Sequence, residues 1–232
     1  MRGPLEVELI PQFPTPCSMP NGLQWADEGL FVMDQYTDDV YVLDEDGHVI
    51  RTVSSVTENG SGITVGGGFL WTASNGVTIS RTYRVTDTHL PWIYKLDIDT
   101  GEPMGRLMIP DGGGVHGIEW DNGLLWATFF NPEAIVLMDP ESGDVVRKFL
   151  VDIDLLHGLA IDGDGIWCAE RHQKIVVKYH VETGEEIDRV IFPEDGPNPH
   201  GLSIRDGELW YSDAAFPPED SREVPEIGRI VR

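Results

Sequence analysis

Basic residues are scarce in this chain of 232 residues. Lys and Arg number 16 against 40 Asp and Glu, a formal net charge of -24. Such a field repels a phosphate backbone, so nucleic acid is excluded as the expected partner. The surplus acid reads first as a solubility device. Cysteine is scarcer still, with Cys17 and Cys168 alone, too few for a disulfide framework. Long apolar runs are missing: no stretch would span a membrane, and the segment from Met1 to Leu5 lacks the apolar core of a signal peptide. The expectation is a cytoplasmic protein with no membrane partner. Helical periodicity is missing too. Hydrophobic residues make up 41%, enough to build a core and to argue against general disorder. The length suits one large all-β domain over residues 1–232.

What the chain does have is a repeat. A small or imidazole residue, then Gly, then Leu or Ile recurs five times: Asn21-Gly22-Leu23, Ser61-Gly62-Ile63, His116-Gly117-Ile118, His157-Gly158-Leu159 and His200-Gly201-Leu202. Each opener is followed by a Gly turn and an apolar-aromatic pair: Leu30-Phe31, Leu70-Trp71, Leu125-Trp126, Ile166-Trp167 and Leu209-Trp210. A β-branched run comes next. Four of the five units then carry a tight turn such as Asp97–Gly101 or Asp139–Gly143. Asn122-Gly123 and Asp206-Gly207 are hairpin signals. Four short strands, A to D, in a unit of about 40 residues is the mark of a β-propeller blade. The blades read as 20–56, 60–112, 113–153, 154–195 and 196–232. The fifth lacks a strand D, and the spare strand 5–10 can supply it. That predicts a five-bladed β-propeller closed by its N-terminal strand, which also hides two sheet edges.

The start of strand A and the end of strand B share one face with the B–C loops. There His116, His157 and His200 occupy one register in three consecutive blades. Three imidazoles facing a common axis could hold a divalent metal ion: Zn, Mn or Fe suits such ligands, and Mg or Ca is the alternative. A structural, hydrogen-bonded histidine is the competing explanation for each one singly. The strand-B ends add Asp34, Ser74, Phe129, Glu170 and Asp213, three of them acids. Glu170 precedes Arg171 and His172, so one loop offers an acid, a cation and an imidazole. Glu170, His172 and Asp213 are the candidate proton-transfer groups. Two insertions fall on the same face. One runs from Asn75 to about His89 and carries Arg81, Tyr83 and Arg84; the other runs from Ala214 to Glu226. Long loops in a compact domain often serve binding. Asp34, Tyr36, Arg81, Tyr83, Arg84, Phe129 and Arg171 are the candidate substrate contacts, the arginines hinting at an anionic group.

The repeat resembles the virginiamycin B lyase-like and NHL-type propellers. The segment from His157 to Glu170, then Lys174 to Tyr179, then Glu182-Thr183-Gly184 carries the resemblance best. In the lyase, a metal near the channel mouth works beside a histidine base and opens a cyclic lactone by elimination. The resemblance makes Glu170 such an acid and His157 or His200 such a histidine. A related amidating lyase holds zinc with three channel histidines, which resembles His116, His157 and His200. Those enzymes have more blades, and Phe129 departs from the acid pattern. Sugar-lactonase propellers are a further neighbour, with a metal set richer in acids. The implied activity is a metal-dependent lyase acting on a small molecule. A lactonase-like hydrolase and a non-catalytic binding propeller are the alternatives.

Overall fold

The computed structural model describes residues 4–77, 81–109, 113–214 and 225–231. It is all-β, with five four-stranded antiparallel sheets among these residues. Blade 1 holds β2 (Pro20–Ala26), β3 (Gly29–Asp34), β4 (Asp39–Leu43) and β5 (Val49–Ser54). Blade 2 holds β6 (Gly60–Gly66), β7 (Phe69–Ser74), β8 (Trp92–Asp97) and β9 (Pro103–Met108). Blade 3 holds β10 (Ile118–Asp121), β11 (Leu124–Phe130), β12 (Glu133–Met138) and β13 (Val145–Leu150). Blade 4 holds β14 (Leu156–Asp162), β15 (Gly165–Glu170), β16 (Ile175–His180) and β17 (Glu186–Ile191). Blade 5 holds β18 (Pro199–Arg205), β19 (Glu208–Asp213), β20 (Glu226–Val231) and β1 (Glu8–Pro14). The five-bladed propeller expected from the repeat is therefore present.

Closure uses the N-terminal strand as expected, with its bounds shifted: Glu8, Leu9 and Ile10 of the expected 5–10 pair with the last blade, and the strand runs on to Pro14. The register runs from Glu8 opposite Val231 to Pro14 opposite Glu226. Pro11 and Pro14 lie in this edge strand, where no outward neighbour needs their missing N–H. The residues before it go elsewhere: the Leu5 N–H donates to the Arg189 carbonyl of blade 4 at 2.7 Å.

The innermost strands β2, β6, β10, β14 and β18 follow one another around the axis. Their contact is what the repeated glycine permits. A Cβ on Gly22 would meet the Ser61 carbonyl oxygen at 2.4 Å, on Gly62 that of His116 at 2.3 Å, and on Gly158 that of His200 at 2.4 Å. Gly201 closes the circle: a Cβ there would stand 2.6 Å from the Leu23 nitrogen. The motif glycine is the point where each blade touches the backbone of the next. Between the blades lie five apolar clusters. One joins Trp71 and Ile93 of blade 2 to Ile118, Leu125 and Phe129 of blade 3. The aromatic landmarks Phe31, Trp71, Trp126 and Trp167 are almost wholly buried. Outer strands are largely exposed, as the last strand of a radial sheet must be.

Candidate functional site

Four of the five openers gather at one mouth of the channel; the fifth, Ser61, donates its hydroxyl to the Ala73 and Val115 carbonyls at 3.1 and 2.6 Å. A cavity of about 220 Å³ at that mouth is lined by Asn21, Gln35, Asn59 and Asn75 from blades 1 and 2. His116, His157, His200 and Arg171 from blades 3 to 5 line it too, with Met19, Val77 and Leu155. One arc of the rim is carboxamide and the other imidazole. The imidazole rings run in series. His116 and His157 stack at 4.3 Å with 10° between planes, and His157 meets His200 edge-on at 4.5 Å. Phe130 closes on the outer face of His116 at 4.9 Å.

The tautomers follow from the backbone. His157 Nδ1 lies 2.5 Å from the Leu155 carbonyl, and His200 Nδ1 lies 3.3 Å from the Asn198 carbonyl. A carbonyl only accepts, so each Nδ1 carries the proton and each Nε2 keeps its lone pair. Burial disfavours the imidazolium, and the nearby Arg171 guanidinium adds to this. His116 is pushed down to about 4 and His200 to about 3, and His157 lies well below the ordinary histidine value. All three rings are neutral at pH 7. The lone pair of such a ring can accept a proton or bind a metal.

Metal geometry is a separate question. The three channel histidines are donors of the right kind, and His116 leaves a buried Nδ1 without a hydrogen-bond partner. One pair stacks and the other meets edge-on, however, and the three sets of nitrogens do not converge within 4.8 Å. Among the described residues, the trio whose ligand atoms fall within 4.8 Å of one another is Asp44, Asp46 and His48, on a turn of blade 1. There one Asp44 oxygen already accepts the N–H groups of Asp46 and His48, both at 2.9 Å.

The acids at the strand-B ends hold their own loops. Glu170 is fully buried, and its carboxylate accepts the N–H groups of His172 at 2.9 Å and Gln173 at 2.7 Å. Asp34 accepts from the Tyr36 N–H at 3.2 Å and the Thr37 hydroxyl at 2.9 Å. Asp213 accepts from the Asn198 N–H at 2.8 Å, beside the opener of blade 5. His172 is exposed. None of Glu170, His172 and Asp213 lines the mouth cavity, whereas Arg171, between the first two, does. Burial nevertheless raises the Glu170 and Asp34 carboxyls above their ordinary values.

Two arginines expected to meet substrate fasten the blade 2 insertion instead. Arg81 donates Nε to Asp38 of blade 1, and its other nitrogens to the two Asp87 oxygens at 2.8 and 2.9 Å. Arg84 donates to the Thr37 and Ser55 carbonyls of blade 1, the latter at 3.1 Å. Buried Glu58 takes the N–H groups of Thr88 at 2.7 Å and His89 at 2.6 Å. Between polar anchors on both sides, the insertion is tied down against blade 1. Tyr83 is exposed and packs edge-on against His89 at 4.7 Å. Phe129 is a correction: it is 2% exposed in the core between blades 2 and 3, and strand alternation sends its neighbour Phe130 to the opposite face of the sheet, against the blade 4 cluster and His116. The second insertion has residues 215–224 outside the described set.

Sequence reasoning missed the amide arc. Asn21 was visible as an opener, but Gln35, Asn59 and Asn75 lie in loops whose convergence no motif announces. It also missed Glu119. This carboxyl of β10 sits in the seam between blades, 3.5 Å from the Thr64 hydroxyl, and burial pushes it up to about 8.

No known protein family matches the sequence, and no curated relative matches it either. Among solved structures, the chain is similar to the glutaminyl cyclase of Myxococcus xanthus. The TM-score is 0.71 at 12% identity, over 97% of this chain and 96% of that one. It is also similar to a chain of a structure described as a mitotic checkpoint complex, with TM-score 0.53 and 14% identity, over 90% of this chain and 61% of that one. At these identities the likeness establishes the architecture.

Proposed function

We propose that this propeller is an enzyme acting on a small molecule in the mouth cavity, with the Nε2 lone pair of His157 or His200 as proton acceptor. The observation that carries the reading is the pair of Nδ1 contacts to backbone carbonyls, which presents an uncharged base on the wall of a half-closed pocket. The reaction we favour is elimination of the lyase kind, as the resemblance to the virginiamycin B lyase-like propellers implies. The histidine removes a proton next to a carbonyl, the β carbon–oxygen bond breaks, and the ring opens to an alkene and a carboxylate. The nitrogens of His116, His157 and His200 do not fall within 4.8 Å of one another, so the rings would have to turn before they could hold the divalent ion the repeat suggested, and they enter this scheme as neutral bases. Glu170 and Asp213 position their loops in this scheme, and Arg171 supplies positive charge at the cavity wall.

A second reading comes from the near end-to-end match with the Myxococcus protein, whose name denotes glutaminyl ring closure. Ring closure also needs a neutral base at the reacting amine. Mass spectrometry of products from cyclic lactones and glutaminyl peptides separates the readings. Elimination leaves the mass unchanged, lactone hydrolysis adds one water, and cyclisation loses one ammonia. His157→Gln and His200→Gln should abolish whichever product forms. No product from either class, in a protein free of divalent metal, would leave the binding propeller as the better account.

A further inference from the structure

Three residues that line the mouth cavity each carry a polar atom that is buried without a hydrogen-bond partner among the described residues: Oδ1 of Asn21, Oε1 of Gln35 and Nδ1 of His116. Asn21 and Gln35 are 4% and 7% exposed. Their amide nitrogens are already committed. Asn21 Nδ2 donates to the Gly60 carbonyl at 3.4 Å, and Gln35 Nε2 donates to Asn59 Oδ1 at 2.8 Å. Each amide is thereby fixed with its oxygen left over. Across the cavity, His157 and His200 offer Nε2 lone pairs. Both arcs therefore carry hydrogen-bond acceptors, those of Asn21 and Gln35 just beneath the cavity surface, within reach of a ligand after a small side-chain turn. A buried acceptor without a donor carries a desolvation cost that a ligand donor relieves.

Charge narrows the ligand further. Among the described residues no carboxylate lines the cavity, and Arg171 is the one charged residue there. A buried ammonium would find no counter-charge and would face a guanidinium. A carboxylate head would meet the acceptor wall of the two amide oxygens. We infer that the cavity takes an uncharged head group bearing at least two N–H or O–H donors, such as a primary carboxamide or a vicinal diol. This rests on the reading of the mouth as the ligand site and adds the substrate class to it.

The test uses paired probes on the whole protein. Nicotinamide offers two N–H donors, and N,N-dimethylnicotinamide keeps the ring and carbonyl while removing both. Erythritol supplies vicinal hydroxyls. Benzylammonium and nicotinate are the charged comparisons. Binding is read from the His157 and His200 imidazole NMR signals. We expect saturable shifts with nicotinamide, erythritol or both; which of them binds identifies the source of the donors. Dimethylation should weaken binding by about ten-fold or more, and Asn21→Leu or Gln35→Leu should do the same. Equal binding of the dimethyl compound overturns the inference without relying on any variant. So does tightest binding by a charged probe, or no shift with any of them. Binding of donor-bearing probes without turnover of any substrate would sink the enzyme reading and leave this one standing. Turnover with donor-insensitive binding would do the reverse.

Discussion

A Cβ placed on Gly117 of blade 3 would stand 2.1 Å from the His157 carbonyl oxygen of blade 4. The same glycine position that shapes the repeat thus carries the seam beneath the candidate site. Gly117→Ala must push two backbones apart, and overpacking of this kind costs about 1–3 kcal/mol. Urea unfolding should show that loss. Gly105→Ala, on an outer strand with its nearest neighbour 3.9 Å away, should be close to neutral. Equal behaviour of the two variants would remove the glycine circle from this account.

The fastening of the blade 2 insertion is testable through Arg81. Its side chain is 9% exposed, and its partners Asp38 and Asp87 are 0% and 3% exposed. Removing one member of a buried pair typically costs about 3–5 kcal/mol, so Arg81→Met should be strongly destabilising. Arg81 holds the Asp87 carboxyl down to about 2. Stability from that depressed carboxyl is present above its unfolded value near 4 and is lost as pH falls toward 2. Hydrogen exchange over 81–91 measured down that range should show the insertion opening in acid in the parent, and exchanging fast with a weaker pH dependence in the variant.

Glu119 predicts the opposite slope. A carboxyl raised to about 8 by burial binds more protons in the folded state than in the unfolded one between pH 4.5 and 8. Its contribution therefore erodes as pH rises through that window. Glu119→Gln keeps the shape and removes the titration. The variant should match the parent at pH 5 and exceed it at pH 9 by a few kcal/mol, on the order expected for a shift of this size. Parallel stability curves for the two proteins would contradict the assignment.

The mouth histidines give a spectroscopic prediction. Burial lowers all three, so at pH 5.5 long-range ¹H–¹⁵N spectra should still show neutral rings, with the proton on Nδ1 in His157 and His200. Because the unfolded rings protonate near 6.5 and the folded ones do not, these groups also cost stability as pH falls below 6.5. Imidazolium signals in the folded protein at pH 5.5 would remove the neutral base on which the proposed function stands.

Much of this was legible in the chain itself. Five openers, five aromatic pairs and the turn signals each report a local choice, such as a positive φ at Gly123 and Gly143 or a β-branched strand. Repetition then converts local choices into a blade count. The missing fourth strand even announced closure, though the pairing residues slid to Glu8–Pro14 because Leu5 is drawn to blade 4. The imidazole register at positions 116, 157 and 200 was readable for the same reason: equivalent positions in equivalent blades face the same axis.

Tertiary structure decided what those groups do. Arg81 and Arg84 are cations in the sequence, but only folding reveals the acids and carbonyls of blade 1 that consume them. Glu170 is an acid at a mouth until its loop turns two N–H groups onto it. Gln35, Asn59 and Asn75 belong to no motif, because loops from neighbouring blades meet only after the ring closes. Local periodicity specifies which strands form. Partner choice among buried polar groups depends on distances across blades, and the linear chain does not encode those position by position.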